Sequence, residues 1–229
     1  MQQLTLDLGL RSSARFDSFE VGNNGLALNA IQTLISGQGE SPIYIYGESA
    51  TGKTHLLQAA CHAMAETGEP VAYLPLDLIA SEGPAILTGW QDHRLLAIDA
   101  LDVLVGHREM EQALFHLMNE LRARDAYVLL AARQGPKALG VGLADLESRL
   151  AWGLVIQLQP LADEECLTVL VREAKNRGFD LPQPAAQYLL NHCRRDLRSL
   201  MQVLDGLDAA SLEDKRRVSL PFVRDWLQR

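Results

Sequence analysis

Cysteine is scarce in this chain: there are three in 229 residues, Cys61, Cys166 and Cys193, far apart and with no CxxC pair. That argues against a disulfide framework and against a cysteine-based zinc site. All three read as buried or half-buried thiols in a reducing compartment. Basic charge is also in deficit, with 21 Lys and Arg against 29 Asp and Glu, a net charge of −8. Non-specific binding along DNA draws its affinity from basic surface, so the balance speaks against it, though a local basic patch is compatible with it. No apolar run approaches ~18 residues, so no helix suited to spanning a membrane is expected. The N-terminus lacks a basic segment followed by an apolar stretch, so no signal peptide is visible and a cytoplasmic location is expected. Internal repeats and low-complexity segments are absent. Aromatic residues are few, at 6 %, and the scattered Trp90, Trp152 and Trp226 read as core or interface anchors. His55, His62 and His116 have no acidic and histidine partners at metal spacing and read as packing or surface residues.

What is present is an ordinary globular composition, 48 % hydrophobic and 22 % charged, long enough for one sizeable core and a smaller appendage. Five short apolar runs stand out: Ile43 to Tyr46, Val71 to Pro75, Leu95 to Asp99, Tyr127 to Ala132 and Leu154 to Leu158. Between them lie helical patterns, one starting at Lys53 and one over residues 109–122. Short β-rich runs alternating with helices predict a parallel sheet with helices on both faces. After Pro160 the strand signals nearly vanish. Residues 163–177, 183–194 and 196–210 read as helices, with Gly178 as a C-cap and Pro182 and Pro184 opening the next helix. A short run near Val218 leads to a last helix from Pro221. The expected organisation is a tail over residues 1–15, an α/β domain over 16–160 and a helical domain over 161–229.

Residues 47–54 read GESATGKT and fit G-x-x-x-x-G-K-[ST] in full. Gly47 and Gly52 let the loop wrap close to phosphates. The backbone amides of Ser49, Ala50, Thr51 and Gly52 point at the anion, and the following helix adds its positive N-terminal end. Lys53 is placed to reach the β- and γ-phosphates, and the Thr54 hydroxyl to bind Mg²⁺. The alternative is a chance Gly-rich turn, which the strand before and the apolar helix after the loop disfavour. Magnesium also needs a carboxylate on a neighbouring strand, and Asp99 at the end of Leu95 to Asp99 supplies one, binding through water. Its plainer role would be to cap the following turn. In many hydrolysing proteins of this class an acidic residue directly follows that Asp. Here the position is Ala100, and the nearest carboxylate is Asp102, which predicts weak intrinsic ATP hydrolysis at most.

Two arginines are candidates for phosphate contact. Arg198, near Arg194 and Arg195 in the helical domain, is the choice for a contact from that domain to the nucleotide; a solvated basic face beside Asp196 and Asp205 is the alternative. Arg149, in Asp145 to Leu150 before Trp152-Gly153, is a candidate to project from the subunit edge into a neighbour's nucleotide site. Spacing alone favours a surface salt bridge for it.

Several segments together resemble the AAA+ module of the bacterial replication initiator DnaA family. Phe16-Asp17-Ser18-Phe19 with Val21-Gly22-Asn23 resembles the family's adenine-site signature, GKTHLLQA over 52–59 its phosphate loop and helix, Leu146 to Leu150 with Trp152-Gly153-Leu154 its arginine-finger segment, and Arg195 to Leu200 its sensor-2 helix. The resemblance spans roughly residues 16–229. It implies a P-loop AAA+ parallel-sheet sandwich with a C-terminal helical lid. It also implies that Phe19 and Val21 touch the nucleotide with the loop, that Arg198 reads its phosphates, and that Arg149 is an arginine finger acting in trans. The DnaA family continues into a helix-turn-helix that reads origin DNA, and no such segment follows the helical domain here, so no sequence-specific DNA binding is expected. The chain instead opens with Gln3-Leu4-Thr5-Leu6-Asp7-Leu8, which resembles the sliding-clamp-binding peptide Q-L-x-L-x-L/F. Gln3 would hydrogen-bond at the rim of the clamp pocket while Leu4, Leu6 and Leu8 supply apolar contact. A strand at the edge of this protein's own sheet, or a disordered end, is the alternative.

A DnaA-like module with a clamp peptide and no DNA-reading domain resembles the DnaA-related regulatory inactivators. Such a protein would hold ADP (or ATP) with Mg²⁺, dock on the DNA polymerase III sliding clamp (the β subunit), and stimulate hydrolysis of ATP bound to DnaA. Homodimerisation is left open by the sequence. One departure is Arg133, near the place where DnaA carries a polar or acidic sensor. The competing readings are a self-acting AAA+ ATPase such as a helicase loader, expected to hydrolyse ATP quickly by itself, and a P-loop kinase, for which no substrate lid is seen.

Overall fold

The computed structural model describes residues 10, 13–194 and 196–228. Five parallel strands form one sheet: β1 Ile43–Tyr46, β2 Val71–Pro75, β3 Leu95–Asp99, β4 Tyr127–Ala132 and β5 Leu154–Gln157, in the order β2-β3-β4-β1-β5. The helices of this unit are α1 Gly25–Ile35, α2 Lys53–Ala65, the four-residue α3 Leu76–Ile79, α4 Arg108–Ala123, the four-residue α5 Pro136–Leu139 and α6 Ala144–Leu150. A parallel sheet must be covered on both faces, and the strands' alternation delivers this. Tyr44, Leu96, Ile98, Val128 and Leu130 face a core shared with α4 and α6. Ile43, Ile45, Leu95, Ala97, Leu129 and Ala131 face the opposite core, closed by α1 and α2.

The chain folds as two compact units, the second made of Pro160–Arg229 with Ser49–Thr51. This second unit holds α7 Asp163–Asn176, α8 Gln183–His192, α9 Leu197–Glu213 and α10 Leu220–Leu227. It has its own core, in which Leu170, Leu189, Leu200, Leu204 and Leu207 are fully buried. Asp196 starts α9: its carboxylate accepts from the Ser199 amide at 2.9 Å and the Ser199 hydroxyl at 2.8 Å. Those two bonds hold the Asp196 carboxyl below the usual carboxylate range.

The differences from the sequence reading are local. The fifth strand ends at Gln157, although the Leu158 amide still donates to the Tyr46 carbonyl at 2.6 Å. Helix α8 stops at His192, where Cys193 turns extended, and α9 runs on to Glu213. The run near Val218 forms no strand: Val218 is buried in the second core, and Ser219 caps α10 through the Phe222 amide. Helix α1 was not expected. Asn24, at its N-cap position, turns its side chain away from the helix, and the first turn holds no acidic residue.

Candidate functional site at the phosphate loop

Residues 47–52 join the carboxyl end of β1 to α2. Ala50 (φ 63°) and Gly52 (φ 94°) both sit in the left-handed region, which curls the loop back over the start of the helix. A single non-glycine residue held in that region is a mark of functional loops. The first turn of α2 contains no acidic residue, and no side chain caps it. Its amides therefore remain directed at whatever anion the loop encloses. The Lys53 ammonium donates to the carbonyls of Gly47 at 2.7 Å and Glu48 at 2.6 Å, which keeps its positive charge inside the curl.

The strand next but one to β1 completes the site. Asp99, buried at the end of β3, accepts at Oδ2 from the Thr54 hydroxyl at 2.6 Å and from the Tyr73 hydroxyl at 3.0 Å, and at Oδ1 from the Ala100 amide at 2.9 Å. The sequence assigned Thr54 and Asp99, 45 residues apart, to one magnesium site, and the fold brings them into direct hydrogen-bond contact. Tyr73 on β2 was missed. Burial, with the Asp99 charge adding to it, pushes its phenol well above the ordinary value, so it stays a donor. Ala100 adopts φ 59° and turns the chain sharply after β3. Asp102 is committed elsewhere: both its oxygens accept from the Arg133 amide at 3.0 Å, tying down the end of β4.

The flank of the loop is closed by the N-terminal segment. Phe19 lies so close to Gly52 that a Cβ there would stand 2.7 Å from its ring. His55 tilts against Phe19 at 5.5 Å between centroids and meets the Arg15 carbonyl at 2.8 Å. Val21 packs on the same core. Buried Asn24 locks this segment to the chain after β5, donating to the Gln159 carbonyl at 3.0 Å and accepting from its amide at 2.7 Å. Only its amide chemistry hinted at this, and that hint is indistinguishable from an ordinary turn residue.

The structure gathers Phe19, Val21, Gly47, Ser49, Ala50, Thr51, Gly52, Lys53, Thr54 and Asp99 at the carboxyl end of the sheet. Arg149 stands elsewhere. Leu154 pairs with Ile43, the first residue of β1, and its amide donates to the Pro42 carbonyl at 3.1 Å. The end of α6 and the Trp152 turn therefore lie at the amino end of the strands, with the length of β1, roughly 10 Å, between them and the phosphate loop. The Arg149 guanidinium lies over the Trp152 indole, 5.4 Å from its centroid. Buried Glu111 on α4 fixes the approach to α6, accepting from the amides of Gly106 (3.3 Å), Gly142 (3.1 Å) and Leu143 (2.9 Å). Arg198 is exposed in the first turn of α9, in the second unit. Gln3, Leu4, Leu6 and Leu8, and also Arg195, lie outside the described residues.

These residues fit a nucleoside polyphosphate: a curl of amides, a helix N-terminus, an ammonium and a Thr–Asp pair converge on one point. Among the described residues no cluster of three or more His, Cys, Asp or Glu stands together. A divalent ion here would have Thr54 and Asp99 as its protein groups and take its other oxygens from phosphate and water. Among the described residues no helix is long and apolar enough to cross a membrane.

A family profile described as the bacterial DnaA ATPase domain matches residues 10–157, and one described as the Hda lid domain matches residues 163–227. Domain III of the Thermotoga maritima replication initiation protein DnaA superposes with a TM-score of 0.85 at 25 % identity, over 96 % of this chain and 98 % of that one. AMPPCP-bound DnaA from Aquifex aeolicus gives a TM-score of 0.75 at 25 % identity, over 86 % of this chain and 65 % of that one. The Thermotoga maritima RuvB Holliday junction branch migration motor shares the fold, with a TM-score of 0.67 at 17 % identity over 90 % of this chain and 67 % of that one. The first profile covers well over half of the chain and runs through the phosphate loop, Asp99 and Arg149, so this protein belongs to the bacterial DnaA ATPase-domain family and is a DnaA-related AAA+ protein of replication initiation with an Hda-type lid.

Proposed function

We propose that this protein is a negative regulator of replication initiation that acts on the ATP of a DnaA partner rather than on its own. The observation that carries the reading is the placement of Arg149: it stands at the opposite end of the sheet from its own phosphate loop, which supports a role toward a second molecule's nucleotide over one toward its own. The chain's own site supports holding over hydrolysis. Ala100 occupies the position of the usual catalytic carboxylate, and Asp102 is spent on the Arg133 amide. In this reading ADP, with Mg²⁺ at Thr54 and Asp99, rests in the phosphate loop with Phe19 and Val21 at its base. Binding in the folded state alone stabilises that state and the surfaces it carries. Gln3, Leu4, Leu6 and Leu8 dock on the DNA-loaded sliding clamp, which brings the protein to DNA through that partner.

In the partner's site, water forms the new bond to the γ-phosphorus, the bond to the β–γ bridging oxygen breaks, and the water proton is released to solvent. Arg149 neutralises charge developing on the transferred group, a contribution worth roughly 10³–10⁵ in rate. Support for DnaA as the partner comes from the DnaA-type module and Hda-type lid, since AAA+ modules complete their sites with a neighbour of like fold. Arg149→Ala is expected to keep ADP and clamp binding and to lose stimulation of DnaA-bound ATP hydrolysis by about a thousandfold. Full stimulation by that variant, measured as phosphate release, removes Arg149 from the mechanism. The intact Thr54–Asp99 pair favours the second reading, a self-acting ATPase, which predicts fast turnover by this protein alone.

A further inference from the structure

Trp152 is a large aromatic left 39 % exposed at the amino end of the sheet, beside the exposed Leu154 and Val155 of the edge strand. Its turn is rigidly defined. Gly153 adopts φ 91°, a Cβ on it would stand 2.2 Å from the Pro42 carbonyl oxygen, and the Trp152 amide donates to the Arg149 carbonyl at 3.2 Å. Two guanidinium groups converge on the indole: Arg122 from α4, with Cζ 3.5 Å from the ring centroid, and Arg149 from α6, at 5.4 Å. Both distances lie within the reach of cation–π attraction. Together with Met118, Pro42 and Tyr127 they line a cleft of about 380 Å³, to which Asp125 also contributes. Despite that carboxylate, among the described residues neither guanidinium has an ion pair or a hydrogen bond; each rests on the indole.

We infer that Trp152, gripped by Arg122, is the positioning residue that presents the Arg149 guanidinium to a docked partner's nucleotide. This rests on the trans-acting reading of Arg149. A free arginine side chain samples many rotamers, and ordering it on docking would cost rate. An indole fixed by its turn restricts that sampling without neutralising the charge, which an acidic partner would do. Arg122 takes the close stacking distance and holds the ring; Arg149, at the looser distance, keeps its donors available for phosphate oxygens.

The test uses the full chain with DNA-loaded clamp and ATP-bound DnaA. The maximal stimulated rate and the concentration giving half of it are read separately for wild type, Arg149→Ala, Arg122→Ala, Trp152→Leu and Trp152→Phe. Trp152→Leu is expected to lower the maximal rate about five- to tenfold with the half-saturating concentration unchanged, and Trp152→Phe, which keeps a π face, to recover most of it. Arg122→Ala should fall between them, and ADP retention by all four variants should confirm that they fold. If Arg149→Ala is inactive while Trp152→Leu keeps the full rate, the finger stands and the positioning role is overturned. A change confined to half-saturation makes Trp152 a docking contact and also overturns it. Full activity of Arg149→Ala overturns the functional reading itself. A partner-free check is the Arg149 Nε–H NMR resonance, which the indole ring current should displace in wild type and not in Trp152→Leu; an unchanged position in that variant contradicts the contact.

Discussion

Gly52 shows how much of the site depends on one missing methyl group. Its φ of 94° costs an L-residue about 1–2 kcal/mol, and a Cβ would meet the Phe19 ring at 2.7 Å. Gly52→Ala is therefore expected to displace Phe19 and to weaken ADP binding as well as fold stability, read by calorimetric titration and thermal melting; unaltered affinity would show that Phe19 is not part of the nucleotide site. At this scale the sequence spoke clearly where a motif fixes both residue type and spacing, as in 47–54. It was silent where the role depends on a side chain's distant partner. Tyr73 looked like any strand aromatic until β2 was laid beside β3, with its hydroxyl on Asp99. Asn24 and Glu111 drew no attention in the sequence, and both are buried, with side chains hydrogen-bonded to backbone groups far along the chain.

Among the elements, the strands were the most legible, because five apolar runs between turn signals leave a parallel sheet few alternatives. The helices α1 and α6 were not, because their caps give no signal: no side chain caps either one. Helix α6 is held from outside by Glu111. Glu111→Ala would leave three amides without their acceptor, costing about 1–3 kcal/mol and lowering the melting temperature by several degrees. A wild-type melt in this variant would show that the loop finds other acceptors. Helix α9 carries a pH-dependent cap. Asp196 has its folded-state pKa lowered from 3.8, so its stabilisation is fully present above that value and is lost as pH falls through the lowered one. Acid unfolding of α9, followed by hydrogen exchange, should steepen below about pH 4. Asp196→Asn should keep the cap while losing that share of the pH dependence, and an identical acid profile would assign it to other carboxylates.

For the whole molecule, the sheet separates two chemistries. Its carboxyl end carries the phosphate loop with the Thr54–Asp99 pair, and its amino end carries Arg149 on α6 beside an edge strand whose Leu154 and Val155 are exposed. A net charge of −8, with no acidic partner on Arg149 among the described residues, fits the proposed encounter with a protein partner better than binding along bare DNA. The family was legible because its motifs are spread along nearly the whole chain. The sequence offered Arg149 as a residue acting in trans only through the family resemblance; its position at the amino end of the strands follows from the pairing of β5 with β1, which the fold alone supplies. The measurement that tests the account most directly is ATP turnover with purified protein, DNA-loaded clamp and ATP-bound DnaA, leaving out each component in turn. Hydrolysis of the DnaA-bound ATP that rises only when this protein and the clamp are both present is the predicted result; rapid turnover by this protein alone, with DnaA indifferent to it, would contradict the account.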